Sequence, residues 1–162
     1  MTPIDRVRKA HVDIMRHPKW CAFSGITAMG ETTIDASIPT ACTDGRNVRY
    51  NPDFVASLND AELAFVVLHE NAGHKAYRHI TVWRHLWKDN PKLANIAADH
   101  FVNLSLVDGD AGEGFIAMPK VGVQPEPRYR GWSVQQIFDD LKQNPPPDGP
   151  RGKSGGGDNP DD

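Results

Sequence analysis

No apolar run in this chain approaches the eighteen or so residues that a membrane-spanning helix needs, so no membrane partner is expected. The first ten residues, M-T-P-I-D-R-V-R-K-A, lack the apolar core of a signal peptide, which makes the cytoplasm the expected location. Charge of one sign is equally scarce. With 24% charged residues and a net charge of −3, nothing argues electrostatically for a nucleic-acid partner. Cysteine is limited to Cys21 and Cys42, spaced from each other and from histidine unlike any zinc ribbon, so both read as reduced, partly buried thiols. The acid-rich loop Asp108–Gly114 lacks the ligand spacing of a calcium loop, and no internal repeat is present. At 162 residues, the chain suits one domain with a real hydrophobic core.

One stretch carries the chemistry. Leu63 to His79 reads L-A-F-V-V-L-H-E-N-A-G-H-K-A-Y-R-H, an apolar run that delivers His69, Glu70 and His74 onto one helix. Leu63, Phe65, Val66, Val67 and Leu68 make that helix hydrophobic nearly all round, as expected of a central, buried element. Buried imidazole and carboxylate groups need partners, and a metal ion would supply one. Zinc hydrolases use H-E-x-x-H this way: two histidines one turn apart bind the ion and the glutamate is the base. Here three residues separate Glu70 from His74. On a regular helix the two histidines would then lie about 140° apart, too far round for one ion. A π-bulge would restore the shared face, and Gly73 is the least hindered residue for that distortion. Without a bulge, Glu70 and His74, four apart, would themselves face one way. The plain alternative for Glu70 is an ion pair with Lys75 or Arg78.

Along the chain, Thr2-Pro3 predicts a helix start, with Ile4, Val7, His11, Ile14 and Met15 on one face and His17-Pro18 ending it. Residues 19–50 read as extended, with a turn at Thr43–Arg46 and a small antiparallel sheet. Asn51-Pro52 breaks the strand, and Asn59 with Glu62 forms a capping box for the histidine helix, which is expected to run towards Trp87. Asn90-Pro91 opens the next helix, with Leu93, Ile96, Ala97, Phe101, Leu104 and Val107 as its buried face. Asn95, Asp99 and Asn103 form a polar stripe on that helix, which suits support around a metal. Residues 115–131 read as an ordered loop. Ser133 and Gln136 cap a last helix, with Trp132 and Ile137 placed as a hydrophobic staple. The Pro/Gly/Asp-rich segment 144–162 is expected to be disordered, leaving a domain of residues 1–143.

H-E-N-A-G-H has the form H-E-x-x-x-H and is similar to the zinc helix of the dipeptidyl peptidase III family. P-T-A-C-T-D-G-R-N-V-R-Y-N-P-D-F-V, the histidine helix and L-A-N-I-A-A-D-H-F-V-N together resemble the "Putative metallopeptidase domain" family of phages and bacteria. Domains of that family often precede a von Willebrand factor A-type domain. The resemblance covers roughly residues 1–143, and the family's usual motif is one residue shorter. It implies an α+β, zincin-like metallopeptidase, mostly helical with a small antiparallel sheet. It also implies Zn2+ bound by His69, His74 and an aspartate at Asp99, with Glu70 as the catalytic base acting on a peptide or protein substrate. A phage or prophage origin and a von Willebrand factor A-type partner in trans follow from the same likeness. By analogy with zincins, the sheet edge in the 32–50 region would hold substrate. Several alternatives stay open. His100 could be the ligand with Asp99 as its hydrogen-bond acceptor. The site could be structural, filled by His69, His74, Asp99 and His100, or the domain could be an inactive binding scaffold. Tyr50, Tyr77, His79 and His100 are the available oxyanion stabilisers. His79 reads as structural or supporting, and His11, His17 and His85 receive no role.

Overall fold

Thr2 opens helix α1 (Pro3–Arg16): its side chain accepts a bond from the Asp5 backbone N–H, and the Asp5 carboxylate accepts from the Thr2 backbone. A computed structural model describes residues 1–145 of the protein. The expected disordered tail therefore lies, from residue 146 on, outside the described residues. Val7, Ala10 and Ile14 of α1 are buried.

The next segment is more helical than its composition suggests. Trp20–Phe23 forms a 3-10 turn and Ser24–Thr27 a short α2. The turn is held by the His17 ring, whose Nδ1 accepts from the Lys19 and Trp20 backbone N–H groups at 3.3 Å. Trp20 is buried against Gly109, where a Cβ would sit 2.8 Å from the indole. Cys21 is exposed and Cys42 buried, and both are free thiols.

Strands β1 (Thr32–Ile34), β2 (Ala41–Thr43) and β3 (Val48–Tyr50) form one sheet in the order β1-β3-β2. β2 and β3 pair antiparallel around the predicted turn, where Asp44 Oδ1 accepts from the Arg46 and Asn47 N–H groups and Gly45 has φ +92°. β1 pairs parallel to β3, so the sheet is mixed and not wholly antiparallel as expected. The cause is the passage from β1 through residues 35–40 to β2, which leaves β3 to enter between the other two.

Asn51 does more than break the strand. Its side chain accepts from Phe54 N–H and, with Pro52 next, starts helix α3 (Pro52–Ser57). Asn59 and Glu62 form the predicted capping box of α4 (Asp60–Leu68), in which Leu63 through Leu68 are all buried. Arg6 ties α1 to this junction through the Val55 and Leu58 carbonyls at 2.6 and 2.8 Å. Asn90 caps α7 (Pro91–Asp110), and Ser133 with Gln136 caps α8 (Val134–Gln143).

Two apolar clusters divide the core. One surrounds α4 and includes Val102 and Leu106 of α7, and the other joins Ala94, Ala97, Ala98 and Leu104 of α7 to α8 and Tyr129. Because α7 is covered on both flanks, its small residues are the most buried, while Val107, expected inside, is 40% exposed. No helix among the described residues is long and apolar enough to cross a membrane.

His11 of α1 has a buried Nε2 without a hydrogen-bond partner among the described residues. Burial, with Lys75 nearby, lowers its pKa from 6.5 to about 4. Below pH 6.5 the unfolded chain therefore takes up a proton that the folded chain refuses until about pH 4. Stability is lost as pH falls through that window, by up to about 3 kcal/mol. Urea midpoints at pH 7 and pH 5 should diverge less in His11→Leu than in the wild type.

Candidate metal centre

From His69 to Lys75 the central helix widens into a π-helix, which begins where α4 ends. The Ala76 N–H reaches five residues back to the Asn71 carbonyl at 2.9 Å, the π pattern. The Asn71 side-chain amide donates to the Val67 carbonyl at 2.8 Å. The widened turn thus carries the five-residue spacing of the histidines, and the two rings converge. Gly73 has a further reason to be glycine: a Cβ there would lie 2.4 and 2.9 Å from the two Cγ atoms of Val102. The absent side chain lets the π-helix lie directly on α7.

The helix does not continue to Trp87 as expected. Arg78 adopts a left-handed conformation at φ 52°, and the chain restarts as α5 (His79–Val82) and α6 (Arg84–Asp89). This break turns His79 inward, where its Nδ1 meets Nδ1 of His74 at 3.1 Å.

Three ligand atoms meet at one point. His69 Nε2 and His74 Nε2 are 2.9 Å apart, and Asp99 Oδ1 lies 3.1 Å from His74 Nε2 and 3.5 Å from His69 Nε2. Zinc with bonds of about 2.0–2.1 Å in tetrahedral geometry separates its ligand atoms by about 3.3 Å. The observed edges bracket that value, so the donor set fits such an ion.

The surrounding hydrogen bonds aim lone pairs into this point. His69 Nδ1 donates to Asn103 Oδ1 at 2.8 Å, and Asn103 Nδ2 donates to the Val123 carbonyl at 2.6 Å. With its proton on Nδ1, neutral His69 presents Nε2 as an acceptor. Burial, together with His74 and His69, pushes His79 down to about 3, which keeps its ring neutral. A His74 whose Nε2 lone pair faces the trio carries its proton on Nδ1, so in that tautomer Nδ1–H donates to His79 Nδ1. Asn95 Nδ2 donates to Asp99 Oδ2 at 3.4 Å. The trio attracts positive charge. Burial opposes it, yet Asp99 and Glu70 raise the pKa of His69 to about 9. Burial also pushes Asp99 up, and the two imidazoles outweigh it, holding the carboxyl well below its ordinary range.

Glu70 is buried beside the trio, and burial raises its pKa against the pull of His69 and His74. It is not paired with Lys75, whose ammonium donates to the Met29 and Arg46 carbonyls at 2.7 and 3.2 Å. His100, weighed as an alternative ligand, packs on Tyr129 with ring centroids 5.0 Å apart and lies outside the trio. The arrangement pairing Glu70 with His74 fails too, because the π-helix puts His69 beside His74.

A cavity of about 390 Å³ opens onto the trio and Glu70. None of the four oxyanion candidates named from the sequence lines it: Tyr50 is fully buried outside the cavity wall, though within reach of the Glu70 charge, and Tyr77 stacks on His79 from the exposed side. Residues Pro39 to Thr43, including all of β2, do line it. β2 is an edge strand. Bonds from Asn51 N–H to Thr40 O and from Asp44 N–H to Asn47 O mark two hydrogen-bonded pairs of the β2–β3 ladder. Alternation makes Cys42 and Arg49 the third, which turns the backbone N–H and C=O of Ala41 and Thr43 away from β3 towards the open edge. The sequence leaves the whole 32–50 region as candidate edge, and the ladder narrows the open backbone groups of β2 to Ala41 and Thr43.

Fold and site together define a helical α+β domain whose buried His–His–Asp cluster can hold a metal ion beside a buried glutamate. Residues 11–162 match the family described as "Putative metallopeptidase domain", and the chain belongs to that family. No curated protein and no solved structure matches the chain.

Proposed function

We propose that the protein is a zinc-dependent peptidase of zincin-like architecture, with His69, His74 and Asp99 as metal ligands and Glu70 as general base. The convergence of three ligand atoms within 2.9–3.5 Å of one another, next to a glutamate that none of them engages by hydrogen bond, carries this reading. Zinc is favoured by the donor set, two imidazoles and one carboxylate, which leaves a fourth position open. Family membership supports peptide hydrolysis.

A zinc ion held by these residues supplies Lewis acidity and makes water nucleophilic near neutral pH. The remaining work falls to the chain itself. The edge groups of Ala41 and Thr43 take an extended peptide as an added strand and align its carbonyl. Glu70 accepts a proton from the water whose oxygen bonds to the carbonyl carbon, then returns that proton to the amine nitrogen as the C–N bond breaks, and so ends as the carboxylate it began as. Asn103 and His79 keep the two imidazoles in the tautomer and orientation that bind metal.

Metal analysis of untagged protein tests the centre. The wild type is expected to carry one zinc per chain and to melt at a higher temperature with it than after chelation. Asp99→Ala and His69→Ala are expected to lose the ion. A wild-type protein that neither retains nor rebinds zinc ends the proposal.

A further inference from the structure

Most of the cavity wall is apolar. Beyond the metal-binding cluster, Glu70 and the two asparagines, its large apolar side chains are Phe54, Phe65, Val66, Ile80, Trp87 and Met118. Among the described residues that line it there is no lysine and no arginine, and its two acids, Glu70 and Asp99, stand at the metal centre itself. An enzyme that trims chain ends must pair the terminal carboxylate or ammonium with an opposite charge, because a desolvated charge without a partner is costly. This wall offers no such cation, and it offers no acid away from the reacting bond. What it does offer is apolar surface in a cleft large enough for a bulky side chain. Beside it lies a strand edge whose Ala41 and Thr43 backbone groups suit an extended chain passing through.

We infer that the site takes an internal, extended polypeptide segment and seats one large apolar side chain, of the phenylalanine, leucine or methionine kind, against Phe54, Phe65, Val66 and Met118. This rests on the peptidase reading for the position of the cleaved bond, while the side-chain preference rests on the cavity alone. Full burial of such a side chain favours binding by on the order of tenfold to a hundredfold over glycine.

The test uses the full chain as Glu70→Gln, loaded with zinc, and hexapeptides of alanine and glycine acetylated and amidated at their ends. Each carries a single Phe, Leu, Met, Gly, Asp or Lys, scanned through the positions. Calorimetric titration should show at least about tenfold tighter binding with Phe, Leu or Met at one position. Unblocked ends should bring no gain. Met118→Trp, which narrows the cleft, should shift the preference to smaller residues, and Phe54→Ala should widen it, so that either variant alone suffices. A flat profile, a preference for Asp or Lys, a requirement for a free terminus, or no binding of blocked peptides overturns the inference. Wild-type protein with the same peptides reads the other claim separately. Preferential binding without cleavage counts against the peptidase and upholds the apolar seat. Cleavage with no side-chain preference does the reverse.

Discussion

Glu70→Gln is expected to keep one zinc per chain and to lose peptide hydrolysis by about 10²–10⁴-fold. The substitution is nearly isosteric in a position only 6% exposed, so packing is preserved. The ligand cluster is closed without Glu70: His69, His74 and Asp99 contact one another, and their supporting bonds come from Asn103, His79 and Asn95. Removing the carboxylate should therefore cost the proton acceptor and spare the ion. Metal content by mass spectrometry and kcat/KM on a quenched fluorogenic peptide, measured on the same sample, separate the two roles. Loss of zinc would make Glu70 a ligand. Unchanged hydrolysis at full zinc would remove it as the base.

The spacing of the motif already contains the π-helix. Two histidines five apart on a buried helix can share a ligand only if one turn widens, and the widening is there from His69 to Lys75. The polar stripe on α7 was equally legible, since Asn95, Asp99 and Asn103 recur every four residues within an apolar helix, and all three border the cavity. The caps at Thr2, Asn59, Asn90 and Ser133 follow from local chemistry and stand where that chemistry puts them.

What escaped depended on distant contacts. Arg78 ends the helix in a left-handed conformation that arginine rarely takes, and no glycine or asparagine marks the spot. With that break hidden, the contact between His79 and His74 was hidden too. The parallel pairing of β1 turns on how the chain crosses residues 35–40, which have no periodicity to read. The turn around Trp20 needs Gly109, nearly ninety residues later in the chain, as its seat. Gly73 lies between these cases. Its place in the motif suggested local freedom, whereas its neighbour across the interface gives it a stricter duty.

That duty supplies the second large effect. Gly73→Ala places a methyl 2.4 Å from Val102 Cγ1 and 2.9 Å from Cγ2, inside any tolerable contact. Valine in a helix is stiff about χ1 and cannot swing aside, so the π-helix and α7 must part. Overpacking of this kind costs about 1–3 kcal/mol, more than the roughly 1 kcal/mol that replacing glycine in a helix returns. The displacement falls on the metal centre, because Asp99 lies one turn before Val102 on α7 and only 3.1 Å from His74, the residue after Gly73. Zinc affinity should drop on the order of ten- to a hundredfold, the scale of damage to groups that orient ligands. Val102→Ala removes the obstructing methyls, so Gly73→Ala/Val102→Ala should recover most of the affinity, while Val102→Ala alone costs stability and changes affinity little. The coupling in that double-mutant cycle is therefore favourable to the pair. Competition with a fluorescent zinc chelator reads it directly. Should Gly73→Ala bind zinc as tightly as the wild type, close packing against Val102 is not what holds His74 and Asp99 together.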